Sequence, residues 1–450
     1  MTDITNPEAQ NLLAALLDQA KTAGADAADA VLYSSTSQGV SWRLGKMEDV
    51  ERSETTDLGL RCLVGRRQAV ISTTDRSAEG LKELVERCVF MAKNAPEDPY
   101  CGLAPAEKLA TSVRDDLELD DGSDPSAEAL TERAAECEAA ALAIKGVTNS
   151  SGAGASFGRG SKWFATSTGA FFTHSGTSHS VSVSVQAEDA NGMERDYDYD
   201  SRRFLTDLMS AEAVGKSAGE RTVKRLSPRK MKSGKMPVVY DNRLAASLIG
   251  HLSGAINGAA IARGVSFLKN RMGEQLFDPS ITITDDPHVK RGAGSRAVDG
   301  EGLPNGKVAI IDEGRLTTWL LNTAHARQLK LEPTGHATRG AGGPPGAGAS
   351  NLTLQPSDVS FDNLIADIPL GLLVTDMFGP QVNPNTGDYS VGCSGFAIEN
   401  GAVAYPVSEI TIAGDLLTMF KSLRPASDLF IRGASNAPSV RVEGMTVAGE

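Results

Sequence analysis

The sequence predicts an α+β fold: two mixed N-terminal units built on antiparallel sheets, followed by a β-rich C-terminal domain. Three observations predict it. Residues 180–185 (SVSVSV) alternate strictly, which gives a strand one buried and one wet face. Strand-like runs at 57–64 and 68–73 flank Gly65-Arg66-Arg67, the pattern of a hairpin. Beyond residue 236, short strand-like runs and two glycine-rich loops surround a single helical segment. The chain has 450 residues, a length suited to two or three domains. The expected divisions are 1–100, 101–225 and 226–450.

Taken in order, residues 7–23 form an amphipathic helix, opened by Asn6-Pro7 and closed by Gly24. Strands are expected at 30–35 and 39–44, then the hairpin, then a helix at 77–92. Residues 94–125 are rich in Pro, Gly and Asp and read as a connector. A helix is expected at 126–144, strand material from 147 to 189, and a long helix at 201–224. The third unit opens at Met236-Pro237-Val238 and contains a helical pattern over 247–268 (SLIGHLSGAINGAAIARGVSFL). Its glycine-rich loops are 291–302 (RGAGSRAVDGEG) and 339–348 (RGAGGPPGAG). Neither makes a nucleotide site: the second lacks a following Gly-Lys-Ser/Thr, and the first lacks a strand–turn–helix context. They are expected to be mobile loops at a cleft or plain turns.

Composition excludes several classes. The net charge of −13 disfavours nonspecific nucleic-acid binding. The basic stretch 224–235 (KRLSPRKMKSGK) reads as an interdomain linker. No apolar run approaches the roughly 18 residues of a membrane span. The N-terminal stretch has no basic region before its apolar residues, so no signal peptide is expected and the chain reads as cytoplasmic. Five cysteines without a CxxC pair make neither a disulfide framework nor a zinc ribbon.

A zinc peptidase helix needs two histidines one turn apart and a glutamate beside the first. Here Leu252 follows His251, and Ala255 and Ile256 occupy the next turn. The six histidines are His174, His179, His251, His288, His325 and His336, and no pair has i, i+4 spacing. His251 is a weak metal candidate at most, and His174 and His179 are placed to meet across a turn at Gly176. Cys393, in Gly392-Cys393-Ser394-Gly395, lacks a base assigned by the sequence and is expected to be inert. No GxSxG elbow is present. The sequence thus assigns no catalytic, cofactor-binding or metal residue.

The C-terminal unit strings together long ordered motifs: Asp299-Gly300-Glu301-Gly302, Gly371-Leu372-Leu373-Val374-Thr375, Asn383 to Ser390 (NPNTGDYS), Gly395 to Gly401 (GFAIENG) and Pro406 to Gly414 (PVSEITIAG). They resemble the TldD/PmbA family of bacterial peptidases, and Glu51–Asp75, with Gly59-Leu60-Arg61, is similar to that family's first domain. The resemblance implies two branches. TldD-type subunits carry HExxxH and a downstream Cys that hold zinc. PmbA-type subunits, also called TldE, lack both. This chain reads HLSGA at the helix and has no Cys in 428–440 (DLFIRGASNAPSV), so it resembles the PmbA branch. The resemblance implies a noncatalytic subunit, with zinc in a TldD-type partner and peptides or unfolded segments as substrates. In that family setting, Arg263-Gly264 is expected to fix the His251 helix against the sheet. A peptide can add as a strand to a sheet edge of the third unit. The alternatives are a self-sufficient peptidase using His251 or Cys393, and a homodimeric peptide-binding regulator.

Overall fold

The computed structural model describes residues 4–379 and 382–450; the first three residues of the N-terminal stretch lie outside them. Helix α1 (Asn6–Thr22) starts on a capping box: Thr5 accepts from the Glu8 amide, and Glu8 accepts from the Thr5 amide. Strands β1 (Ala27–Arg43), β2 (Lys46–Val64) and β3 (Arg67–Thr73) follow, then α2 (Ala78–Asn94) and α3 (Ala127–Leu142). Next come β4 (Val147–Thr166), β5 (Phe171–Asp189), β6 (Gly192–Arg202) and α4 (Ala211–Lys224). The six strands form one antiparallel sheet in the order β3-β2-β1-β4-β5-β6. Both N-terminal segments therefore share a sheet, although each packs its own core. Leu32, Leu58, Leu60 and Trp163 lie with α1 and α2, while Val40, Phe157, Val181 and Val183 lie with α3 and α4.

These core residues share one parity along each strand, so all four helices cover the same face. The opposite face carries Tyr33, Lys162 and His174, aligned in register across β1, β4 and β5. The sequence expectation differs in two places. The strands expected at 30–35 and 39–44 are one strand, because residues 36–38 pair with both β2 and β4. The long helix expected at 201–224 begins only at Ala211. Ser201 and Arg202 belong to β6, and Ser210 caps the helix through the Ala213 amide.

The C-terminal domain contains β7 (Gly234–Tyr240), α5 (Asn242–Ala255), α6 (Gly258–Ala262), β8 (Ile283–Asp285), β9 (Val308–Asp312), β10 (Arg315–Leu316) and α7 (Thr323–Leu329). It continues with β11 (Ala337–Thr338), β12 (Gly346–Ala347), β13 (Leu352–Leu354), α8 (Phe361–Ile365), β14 (Leu370–Phe378), β15 (Asp388–Glu399) and β16 (Ala402–Asp415). The last elements are α9 (Leu416–Ser422), β17 (Arg424–Pro425), β18 (Ser435–Asn436) and β19 (Val440–Ala448). Strands β16-β15-β14-β7-β19 run side by side, and pairing of β16 with β19 closes them into a barrel. A small sheet, β10-β9-β8-β13-β18, packs nearby. β19 pairs with β16 only at Thr411, Ile412 and Ala413, and Arg229 bridges to Val407, so closure covers part of the outer edge of β16. The β15–β16 hairpin turns at Asn400 and Gly401, both at positive φ, as a two-residue turn demands.

The helical pattern expected over 247–268 is two helices. Asn257 breaks it: its side chain accepts from the Ala259 amide and donates to the Ala347 carbonyl at 2.7 Å. Arg263 does not reach the sheet; its Nε donates back to Ala259 of its own helix. Among the described residues no helix is long and apolar enough to cross a membrane.

Candidate functional site

Helix α5 is capped by Asp241, which accepts from the Arg243 amide, and its apolar stripe is Ala245, Leu248, Ile249, Leu252 and Ala255. That stripe drives α5 into the core of the C-terminal domain. His251 lies beside it, its ring edge-on to Tyr389 at 6.0 Å between centroids. The positions a zinc helix would use are apolar and buried: Leu252 and Ile256 are fully buried and Ala255 nearly so. Cys393, on β15, is fully buried, and burial followed by Asp376 pushes its thiol up to about 12. Such a thiol is not a nucleophile near neutral pH. Burial likewise pushes Tyr389 up to about 12. Among the described residues, no three His, Cys, Asp or Glu side chains gather as a metal site. The donors around α5 therefore do not fit zinc.

The other histidines are dispersed. His174 and His179 do not meet. Residues 171–189 are one unbroken strand, and side chains five apart on a strand point to opposite faces. His179 is buried on the helix side, 2.9 Å from Asp121 Oδ2 and 3.2 Å from Ser123 Oγ. His174 faces the C-terminal domain. His288 Nε2 lies 2.9 Å from Asn305 Oδ1, and His336 Nε2 lies 3.3 Å from Asp285. His325 sits on α7, its pKa lowered by burial and then by Arg263.

The basic stretch 224–235 is tied to the barrel. Arg225 reaches Asp196, Glu194 and Asp376, Arg229 lies over the Tyr405 ring, and Lys230 pairs with Glu409. Asp299 and Glu301 are structural. Asp299 accepts from the amides of Glu301, Leu303 and Ala337, and Glu301 from the amide and hydroxyl of Thr323.

The sequence reading missed a buried junction between the sheet and the C-terminal domain. Asp29 on β1 receives Arg61 Nε at 2.5 Å on one oxygen and Arg339 Nε at 3.0 Å on the other, and all three are buried. The Tyr33 hydroxyl donates to the Arg339 carbonyl. The loop 339–348 lies so close to β2 that a Cβ at Gly59 would fall 2.3 Å from the Ala341 carbonyl oxygen. Only glycine admits that approach. The loop is thus docked onto the sheet, contrary to the mobile loop expected. A signal was available, since Asp29 and Arg61 each interrupt an apolar strand run.

A helix-covered sheet docked onto a closed barrel, with α5 packed into the core of the barrel domain, defines the architecture, and comparison with known proteins identifies its class. Family models for PmbA/TldA metallopeptidases match in three consecutive parts: domain 1 over residues 28–92, the central domain over 120–226 and the C-terminal domain over 233–449. The chain is 37% identical to the metalloprotease PmbA of Escherichia coli O157:H7, covering 94% of this chain and 93% of that protein. It is 34% identical to the PmbA homolog of Haemophilus influenzae, covering 96% and 94%. The chain belongs to the PmbA/TldD metallopeptidase family, on its PmbA-like side. A Bacteroides thetaiotaomicron protein, described as a candidate modulator of DNA gyrase, superposes with a TM-score of 0.90 at 28% identity over the whole of both chains. TldE from Thermococcus kodakarensis shares the fold, with a TM-score of 0.86 at 19% identity over 97% of this chain and all of that one.

Proposed function

We propose that this chain is the noncatalytic, TldE-like subunit of a zinc metallopeptidase that processes peptides and unfolded segments in the cytoplasm. Its partner, a TldD-type chain, supplies the zinc, the glutamate base and the cysteine ligand. The observation that carries the reading is α5, where the family's peptidase helix offers His251 but places the buried apolar Leu252 beside it and Ala255 and Ile256 one turn on. One imidazole is too few ligands for a catalytic zinc, which takes about three from the protein. The buried, high-pKa thiol of Cys393 argues against a self-contained cysteine mechanism. Five free cysteines suit a reducing compartment. The chain's own role is to wall the substrate chamber and support the partner.

The test is elemental analysis of the untagged chain purified alone, followed by peptide hydrolysis with and without a TldD-type chain. We expect zinc far below one ion per chain, no cleavage alone, and cleavage when the partner is added. Close to one zinc per chain with cleavage by the isolated protein would overturn the reading. A stable homodimer that ignores a TldD-type chain would overturn the partnership.

A further inference from the structure

The outer face of the six-stranded sheet and loop 291–302 enclose a cavity of about 310 Å³. Lys162, His174, Arg203, Arg296 and Arg339 all line it, in a chain whose net charge is −13. Asp299 is the one carboxylate among its described lining residues, and it is already held by three backbone amides. Arg339 pairs with Asp29, which it shares with Arg61. The other three cations form no salt bridge among the described residues, although Asp299 acts on Lys162 and Arg296, and Asp285 on Arg296, through space. Lys162 Nζ donates to the Arg339 carbonyl at 3.0 Å. Arg203 donates to the carbonyls of Gly292 and Ala293, at 3.4 and 2.7 Å. Arg296 donates to the Gly348 carbonyl at 3.0 Å, while its Nε is buried without a partner. Such a cluster is unusual because gathering buried cations with no carboxylate in direct contact is costly. The cost registers in titration. Burial, then Arg339 and Arg296, pull Lys162 down to about 8, and burial, then Arg203, Lys162 and Arg296, pull His174 down to about 4.

The remaining wall is part apolar, with Thr173, Ser295 and Thr338 among its lining residues. Phe164 and Phe172 face each other across β4 and β5, with Val298 opposite. The cavity also continues into a groove of about 550 Å³ over the same sheet face, sharing Lys162, His174 and Arg203. Gly176 leaves room for Arg203 at this junction, since a Cβ there would fall 2.4 Å from a guanidinium nitrogen and displace that side chain. A free phosphate would match the cations and leave the phenylalanines without a role. An extended peptide lying in the groove uses both: its terminal carboxylate meets the cations, and its last side chain meets the two rings.

We infer that this cavity binds the C-terminal carboxylate of a peptide whose last residue is apolar, with Lys162, Arg203 and Arg296 as the anion-binding groups. The inference rests on the peptide-handling role proposed above and names the end of the substrate that this subunit holds.

The test is fluorescence anisotropy on the full chain without partner, using an N-terminally labelled decapeptide that ends in phenylalanine. Its C-terminally amidated twin and inorganic phosphate serve as the other arms. The free acid should bind at least about tenfold tighter than the amide, and K162M and R296M should each weaken it about tenfold or more, as expected for loss of a charge-assisted bond. K162R should retain most of the affinity. K162M should melt no lower than the wild type, since it removes a desolvated charge. Equal binding of acid and amide overturns the inference. So does phosphate that binds in a Lys162-dependent manner and is not displaced by the peptide. Because the readout is binding to the isolated chain, it separates failure of this site from failure of the noncatalytic-subunit reading, which zinc content and cleavage report.

Discussion

Asp29 shows how one side chain holds two domains. It is fully buried between two guanidiniums, Arg61 from the sheet and Arg339 from the C-terminal loop. Asp29→Ala leaves two buried cations unpaired and is expected to cost about 3–5 kcal/mol. Urea unfolding followed by tryptophan fluorescence checks it, and a midpoint equal to wild type would refute the argument. His174 makes a second prediction. Its folded pKa, about 4, lies below the value of roughly 6.5 for an unfolded chain. Between those values the unfolded chain takes up a proton that the folded chain refuses. The contribution of His174 is therefore fully present above about pH 6.5 and is lost as pH falls toward 4. Across that window the melting temperature of wild type should drop more steeply than that of H174Q. Parallel curves would show that neither burial nor the neighbouring Arg203, Lys162 and Arg296 depresses this imidazole.

At the scale of elements, the helices of the second segment pack by glycine. A Cβ at Gly215 of α4 would lie 2.1 Å from the Cys137 carbonyl oxygen of α3. Gly215→Ala must therefore push α4 off α3, at about 1–3 kcal/mol, the usual cost of overpacking. Circular-dichroism melts of G215A measure it, and an unchanged melt would mean that the crossing is looser than this backbone. The strands illustrate what local pattern conveys. The alternation at 180–185 is legible because Val181, Val183 and Val185 fill one core while the serines between them face away. The break at Asn257 was not legible. An asparagine within an apolar helical pattern caps a second helix only if a neighbour such as the Ala347 carbonyl takes its amide.

At the scale of the molecule, the prediction is a division of labour between two chains. This chain alone should carry almost no zinc and cleave nothing, as elemental analysis and a peptide assay would register. The sequence by itself determined the α+β class, the family and the lack of a second histidine at helical spacing from His251, because these rest on residue identity and short-range periodicity. Only the tertiary structure decided the rest. It joined two N-terminal segments in one sheet, sent His174 and His179 to opposite faces, and docked loop 339–348 on Gly59. It also gathered Lys162, Arg203 and Arg296, which lie far apart in the chain, around one cavity. The physical reason is that strand pairing is a nonlocal interaction. Its register determines which side chains share a face, and nothing within a strand encodes the register of its neighbours.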